Sequence, residues 1–327
     1  MEKSLLRIAN TLVLYSYHVT GNGLLNGRMG IILYLFRYSS YAGNEYYSDF
    51  AGDLLDKVLR TSANMPSDFE NGLTGVGWAV NRLLKEGLVD GNPNEVLQSV
   101  DRKVFNWIAC NPGISLFGQA VYLLERWQDN LNVPYFEEQA IHILHICEGG
   151  IRKFGGKISL YHINSVLHFL IGINRMRKCM EKANVVCKLL PDILRRILKQ
   201  KWYTPADCLI FEQLKQEAEK YHPELWYEIQ SICFPQTNGP IKNMEQYIRI
   251  AWLQELYFGK VIIPLPTTEE IGTFIDRKQQ KITLDGFLLQ NGLAGLGCML
   301  LPTNQQTTLN HITTVSYTHL RAHETGA

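Results

Sequence analysis

What this chain lacks narrows its function first. It has no surplus of either charge: 32 Lys and Arg stand against 31 Asp and Glu, a formal net charge of +1. Such a balance presents no global field to draw nucleic acid or an anionic membrane. The 7 Cys are odd in number and scattered, with no Cys-x-x-Cys pair. That argues against a disulfide framework and suits a reducing compartment. Apolar runs are short; 31–36 and 166–171 fall far below the roughly 20 residues of a membrane span. Near the N-terminus Arg7 and Asn10 interrupt Leu5, Leu6, Ile8, Leu12 and Leu14, so an amphipathic first helix is expected rather than an export signal. The cytoplasm is the expected location. Strand signals are few, and the apolar run 260–266 is bounded by Pro264 and Pro266, which marks a connector. What is present is 46% hydrophobic and 19% charged, enough for a sizeable core and too apolar for disorder.

The informative content is repetition. Asn26-Gly-Arg-Met-Gly30 recurs as Asn71-Gly-Leu-Thr-Gly75 and as Asn291-Gly-Leu-Ala-Gly295, each followed by an apolar run. Weaker copies end at Gly118 and Ser165, giving steps of 45, 43 and 47. The gap from 165 to 295 holds three more steps, so two repeats without glycine are expected near 208 and 252. Between the turns the pattern is helical. Tyr47, Phe50, Ala51, Leu54, Leu55 and Val58 form one apolar stripe, with Asp49, Asp53, Asp56 and Lys57 opposite. Residues 31–36 are apolar nearly all round, as a helix buried on most faces would be. The expected fold is therefore all-α, seven outer and inner helix pairs closed into an α/α toroid, since an open stack would leave one face of each inner helix wet.

The segments 23–36, 44–59 and 68–79, with Gln290-Asn-Gly-Leu-Ala-Gly-Leu-Gly297, resemble the lanthionine synthetase C-like (LanC-like) family, in the short form found in Bacteroidota-type bacteria. The resemblance is close over 1–125, weak over 126–285 and clear again over 286–301. It implies a seven-repeat α/α toroid over residues 1–313. It also implies maturation of ribosomally made peptides, in which a peptide thiol adds to a dehydrated Ser or Thr. A zinc ion held by two Cys and a His makes the thiolate, and an Asp and a His near the metal handle protons. The expected partners are a precursor peptide or the enzyme that modifies it, with no nucleic acid and no membrane span.

The chain departs from that pattern. The Trp-Cys-x-Gly and Cys-His-Gly elements that supply zinc ligands are absent; Cys208 and Cys298 lie nearest the expected frames, and neither has an adjacent His. Zinc is therefore expected in the family and absent here. The family's Asp position is Asn111, which cannot act as a base; Asp68 has the same offset one repeat earlier. The family's His position falls on Tyr161, and His162 matches it if the turn has shifted by one residue. Asp68 and His162 are the catalytic candidates.

Other residues carry weaker signals. His142, His145 and Cys147 share one helical stretch and form a possible metal group, although they sit on an outer amphipathic helix, where surface His are ordinary. Cys298 reads as a buried inert thiol, and Trp78 as packing between inner helices or as a pocket wall. Over 175–201, nine basic residues face only Glu181 and Asp192, either a solvated face or a docking patch for an acidic peptide segment. Residues 314–327 resemble a translated sequencing-adapter read-through and are set apart from the fold, so His319 and His323 are not read as ligands. Three functions follow: a zinc-dependent peptide cyclase, a toroid that binds a peptide or partner without chemistry, and, remotely, an α/α-toroid glycosidase. The last needs two carboxylates flanking one bond, and Asp68 with Glu70 is the close pair available.

Overall fold

Glycine decides how three of the helices begin. In this computed structural model, which describes residues 1–110, 118–128, 130, 133–154, 158–235, 241 and 243–302, the described residues form helices and turns with no β-strand. In chain order the helices are α1 (Glu2–Tyr15), α2 (Arg28–Ala42), α3 (Tyr46–Arg60), α4 (Leu73–Lys85), the one-turn α5 (Pro93–Val96) and α6 (Gln98–Cys110). They continue as α7 (Gln119–Gln128), α8 (Pro134–Phe154), α9 (Leu160–Gly172), α10 (Met180–Gln200) and α11 (Pro205–Tyr221). The last four are α12 (Pro223–Ile229), α13 (Met244–Phe258), α14 (Thr268–Gln280) and α15 (Leu293–Leu300). The run 260–266 is a connector, as its prolines require; the buried Gln254 side chain accepts from the amides of Ile262 and Ile263 at 2.8 and 3.1 Å.

The chain divides into two compact units, one of Met1–Lys103 with Asn243–Ala327 and one of Val104–Lys242. In the first unit α4, α2, α15 and α13 pack side by side in that order, while α3, α1 and α14 form a second row. α2 is buried continuously from Met29 to Phe36, as expected of a helix enclosed on most faces. α3 buries Tyr47, Ala51, Leu54, Leu55 and Val58 and turns its acidic face outward. In the second unit α7, α9 and α11 form one row and α8, α10 and α12 another.

The three Asn-Gly motifs occupy one local structure. Gly27, Gly72 and Gly292 are the N-caps of α2, α4 and α15, all with extended backbone. A helix start leaves amides without partners. Here the preceding loop folds back and supplies a carbonyl: Arg28 N–H donates to Gly21 at 2.9 Å and Leu73 N–H to Pro66 at 2.7 Å. The loop then lies so close that a Cβ on Gly27 would meet the Gly21 carbonyl at 2.7 Å, and one on Gly72 the Asp68 carbonyl at 2.6 Å. The second glycines of α4 and α2 sit against the turn that precedes the next helix of the row. A Cβ on Gly75 would strike Leu24 at 2.8 Å, and one on Gly30 would strike Leu289 at 2.6 Å. Backbone bonds join the turns as well: Gln290 N–H donates to Leu25 at 3.4 Å, and Leu25 N–H to Glu70 at 2.9 Å.

Where the glycines are missing, α11 and α13 are capped by side chains instead. Thr204 and Asp207 form a capping box on α11, with Asp207 Oδ2 accepting from the Thr204 amide at 2.9 Å. Asn243 accepts from the Gln246 amide at 2.9 Å at the start of α13. α9 has no side-chain cap: the Leu160 amide donates to the Trp202 carbonyl at 3.0 Å, and the Ser159 hydroxyl pairs with His162 Nδ1 at 2.8 Å. In each case the first helical turn carries at its third position His162, Asp207 or Gln246, where α2, α4 and α15 carry Gly30, Gly75 and Gly295. The expected frame of Ser165, 208 and 252 falls three, one and six residues after these third positions. Side-chain capping needs no folded-back loop, so nothing demands glycine there.

Candidate functional site

The candidate residues separate into local settings in different units. Asp68, in the first unit, is half-buried and its Oδ1 accepts from the Asn71 amide at 2.7 Å, so one carboxylate oxygen shapes its own turn. Glu70 stands beside it. Burial raises the Glu70 pKa, the Asp68 charge raises it further, and Arg249 on α13 opposes both. Two carboxylates one residue apart on a single turn, one of them engaged with that turn, do not flank a bond as glycoside cleavage requires.

His162, in the second unit, is half-buried near the start of α9. It lines a small, partly open apolar cleft with Ala120 on α7, Cys147 and Ile151 on α8, Ile158, and Phe169 on α9. Burial lowers its pKa, with the Asp207 charge opposing, so the imidazole is neutral at physiological pH. With Nδ1 engaged by Ser159, Nε2 is the nitrogen left to meet whatever enters the cleft. A neutral imidazole facing an apolar cavity can accept a proton or anchor a polar group. Deeper in α9, burial pushes His168 down to about 4 although Glu125 opposes it.

The thiols are poor metal ligands as they stand. Cys208 is buried, and burial with the Asp207 and Glu212 charges pushes its pKa up to about 12. Cys298 is likewise buried and pushed up to about 12, chiefly by desolvation. A zinc ligand must give up its proton, and neither cysteine stands beside a His. The residues present do not fit the Cys, Cys and His zinc site that the sequence resemblance implies. Among the described residues no three His, Cys, Asp or Glu side chains come together as a metal-binding group. On α8, His142 and His145 are exposed, whereas Cys147 is buried in the cleft wall with its pKa raised to about 12. Asn111, His319 and His323 lie outside the described residues, as does the boundary expected at residue 314.

No protein-family model, curated protein or solved structure matches this chain. The local chemistry therefore carries the functional reading.

Trp78 is fully buried on α4 and meets Trp252 of α13 edge to face, with centroids 5.3 Å apart. Of its two expected roles, packing within the row is the observed one. A further feature of the first unit escaped sequence reasoning. Arg37 on α2 donates to both Glu86 oxygens, at 2.6 and 2.9 Å, and its Nη2 is 2.6 Å from Glu255 on α13. Side-chain exposures are 15% for Arg37, 24% for Glu86 and 10% for Glu255. Burial alone would lower the Arg37 pKa, but Glu255 and Glu86 outweigh it and hold the guanidinium well above its ordinary range. The signal was there: Arg37 follows the run 31–36 directly, and Glu255 sits within Trp252-Leu-Gln-Glu-Leu-Tyr257. A charge inside an apolar helix needs a partner. Among the described residues no helix is long and apolar enough to cross a membrane.

Proposed function

We propose that this chain is a LanC-like α/α toroid that serves the maturation of ribosomally made peptides by holding a peptide or a partner enzyme, without zinc-dependent ring closure. One observation carries the toroid reading. In the first unit the last glycine-started helix packs on the first, with Leu289 against Gly30 and Gln290 bonded to Leu25. A unit assembled from both ends of the chain, with repeats joined last to first, is what closure of seven helix pairs requires. The buried, protonated thiols Cys208 and Cys298 favour holding over chemistry. The cleft beside His162 suits an apolar peptide side chain, and the imidazole offers one hydrogen bond to its backbone.

A second reading, in which the protein does catalyse thioether closure, is favoured by the neutral His162, which would take the proton of the attacking thiol. The products separate the two readings. Purified full-length protein is incubated with a peptide carrying one Cys and one dehydroalanine, and followed by mass spectrometry after alkylation of free thiols. Elemental analysis runs in parallel. Holding predicts peptide binding, no stoichiometric zinc and no gain in thioether over buffer. Thioether formed by the parent protein and lost in His162→Asn rejects it in favour of the second reading.

A further inference from the structure

The basic stretch 175–201 serves neither the rows of helices nor the cleft. Its two halves differ. In the first half Lys178 pairs with Glu137 at 3.4 Å and Lys182 with Glu148, both carboxylates from α8, so the fold neutralises its own charge there. In the second half α10 buries Val186, Leu190, Ile193, Leu194 and Ile197, and leaves Lys188, Arg195, Arg196 and Lys199 exposed. Their spacing of i, i+7, i+8 and i+11 puts all four within about 100° of helix arc. Lys201, in a left-handed C-cap with φ of 57°, and the 36% exposed Trp202 extend the stripe. Asp192 is the one carboxylate on this half of the face and engages Arg195 at 3.2 Å. Lys188, Arg196, Lys199 and Lys201 have no ion-pair partner among the described residues.

The helix dipole does not account for this. Cations are favoured in the last turn only, which explains Lys199 and leaves Lys188 three turns too early. The flanks limit what can bind. α12 packs on α10 and brings Glu224 and Glu228 near the buried Cys187. A broad anionic surface would meet those carboxylates; a single extended strand would not.

We propose that the C-terminal half of α10 is a docking stripe for an acidic segment of a separate polypeptide. From Lys188 to Lys199 is about 17 Å of helix, the length of about five extended residues. Each exposed pair contributes little alone, but four cations on one face steer and orient an acidic strand. The inference stands apart from the proposed function, since it needs neither the cleft nor a thiol.

The test uses the full chain and a fluorescein-labelled peptide of six Glu flanked by Gly and Ala, with no Cys, Ser or Thr, read by anisotropy at low salt. Failure with this peptide leaves the core-peptide reading untouched. The parent is expected to bind it and to ignore the Gln analogue. The variant K188Q/R195Q/R196Q/K199Q is expected to bind at least 10-fold more weakly, with an unchanged melting curve. Removing four exposed cations elsewhere, in K3Q/R60Q/K260Q/K281Q, should change binding by less than about 2-fold. Should the first variant melt early, R196Q/K199Q replaces it, with a loss of about 3-fold. The proposal is overturned by no binding to the parent, by equal loss in both charge variants, or by tighter binding to poly-uridine RNA or phosphatidylserine vesicles than to the acidic peptide.

Discussion

The two units begin their helices by different means, and the difference shows where glycine is indispensable. In the first unit α2, α4 and α15 start under loops that fold back and donate backbone carbonyls. In the second, α11 starts on a side-chain box, Thr204 with Asp207, while the first amide of α9, on Leu160, donates to the Trp202 carbonyl at 3.0 Å. α13, in the first unit, follows the side-chain style through Asn243. A loop folded back just before its own helix comes within contact of the N-cap Cα and forbids a Cβ there; a side-chain cap, or a carbonyl from a distant segment as at α9, does not. The polar interiors differ too. The first unit holds a largely shielded ion cluster around Arg37, and the second holds His162, His168 and His222, whose pKa values desolvation lowers.

The sharpest break comes from a single methyl group. Gly75→Ala places a Cβ inside contact distance of the Phe69 carbonyl and 2.8 Å from Leu24. Backbone must shift in two repeats, at a cost of about 3 kcal/mol or more in urea unfolding. Ser165→Ala, at the expected but displaced frame position in the second unit, should cost under about 1 kcal/mol. Equal losses at the two sites would erase the distinction between the two kinds of helix start.

Next in size is Arg37→Met, which strands Glu86 and Glu255 and should cost about 3 kcal/mol. The companion change Glu255→Gln with Arg37→Met should recover part of that, measured as a double-mutant cycle. No recovery would mean that the cluster does not act as a unit.

Acid should loosen the second unit before the first. His168 has a folded pKa of about 4 against roughly 6.5 when unfolded. The unfolded chain binds the proton first, so stability present above pH 6.5 is lost as pH falls towards 4. The lowered pKa values of His162 and His222 act in the same direction. His168→Phe should remove roughly 2 kcal/mol of the acid loss, read as a flatter melting temperature between pH 6.5 and 4.5. An unchanged pH profile would refute the assignment to His168.

The smallest effect belongs to the side-chain caps. Thr204→Ala removes the box that starts α11 and should cost about 1 kcal/mol, seen as faster amide exchange over its first turn. A loss matching that of Gly75→Ala would show that the box supports more than one helix end.

Much of the fold was legible because it follows from local pattern. The stripe of α3, the all-round apolarity of α2 and the prolines of the 260–266 connector each predict the observed element from sequence-near physics. The three Asn-Gly motifs predicted three equivalent helix starts, and these are found at Gly27, Gly72 and Gly292. Where glycine was absent the pattern placed α11 within one residue but misplaced the starts of α9 and α13, because a Ser or Asn N-cap looks like any loop residue until the fold is known.

The site divides along the same line. Sequence singled out His162 by its neighbours in a repeat, but only packing against α7 and α8 makes the cleft that the imidazole lines. Asp68 has the right residue type, and folding turns it onto the Asn71 amide. Arg37, Glu86 and Glu255 are separated by up to 218 positions in the chain and meet only after α2, α4 and α13 pack. Periodicity and glycine spacing are properties of neighbouring residues, so a linear text carries them. Burial, and with it the lowered pKa of His168 and the ion cluster of Arg37, depends on which distant helices close over a side chain, and that is settled only in three dimensions.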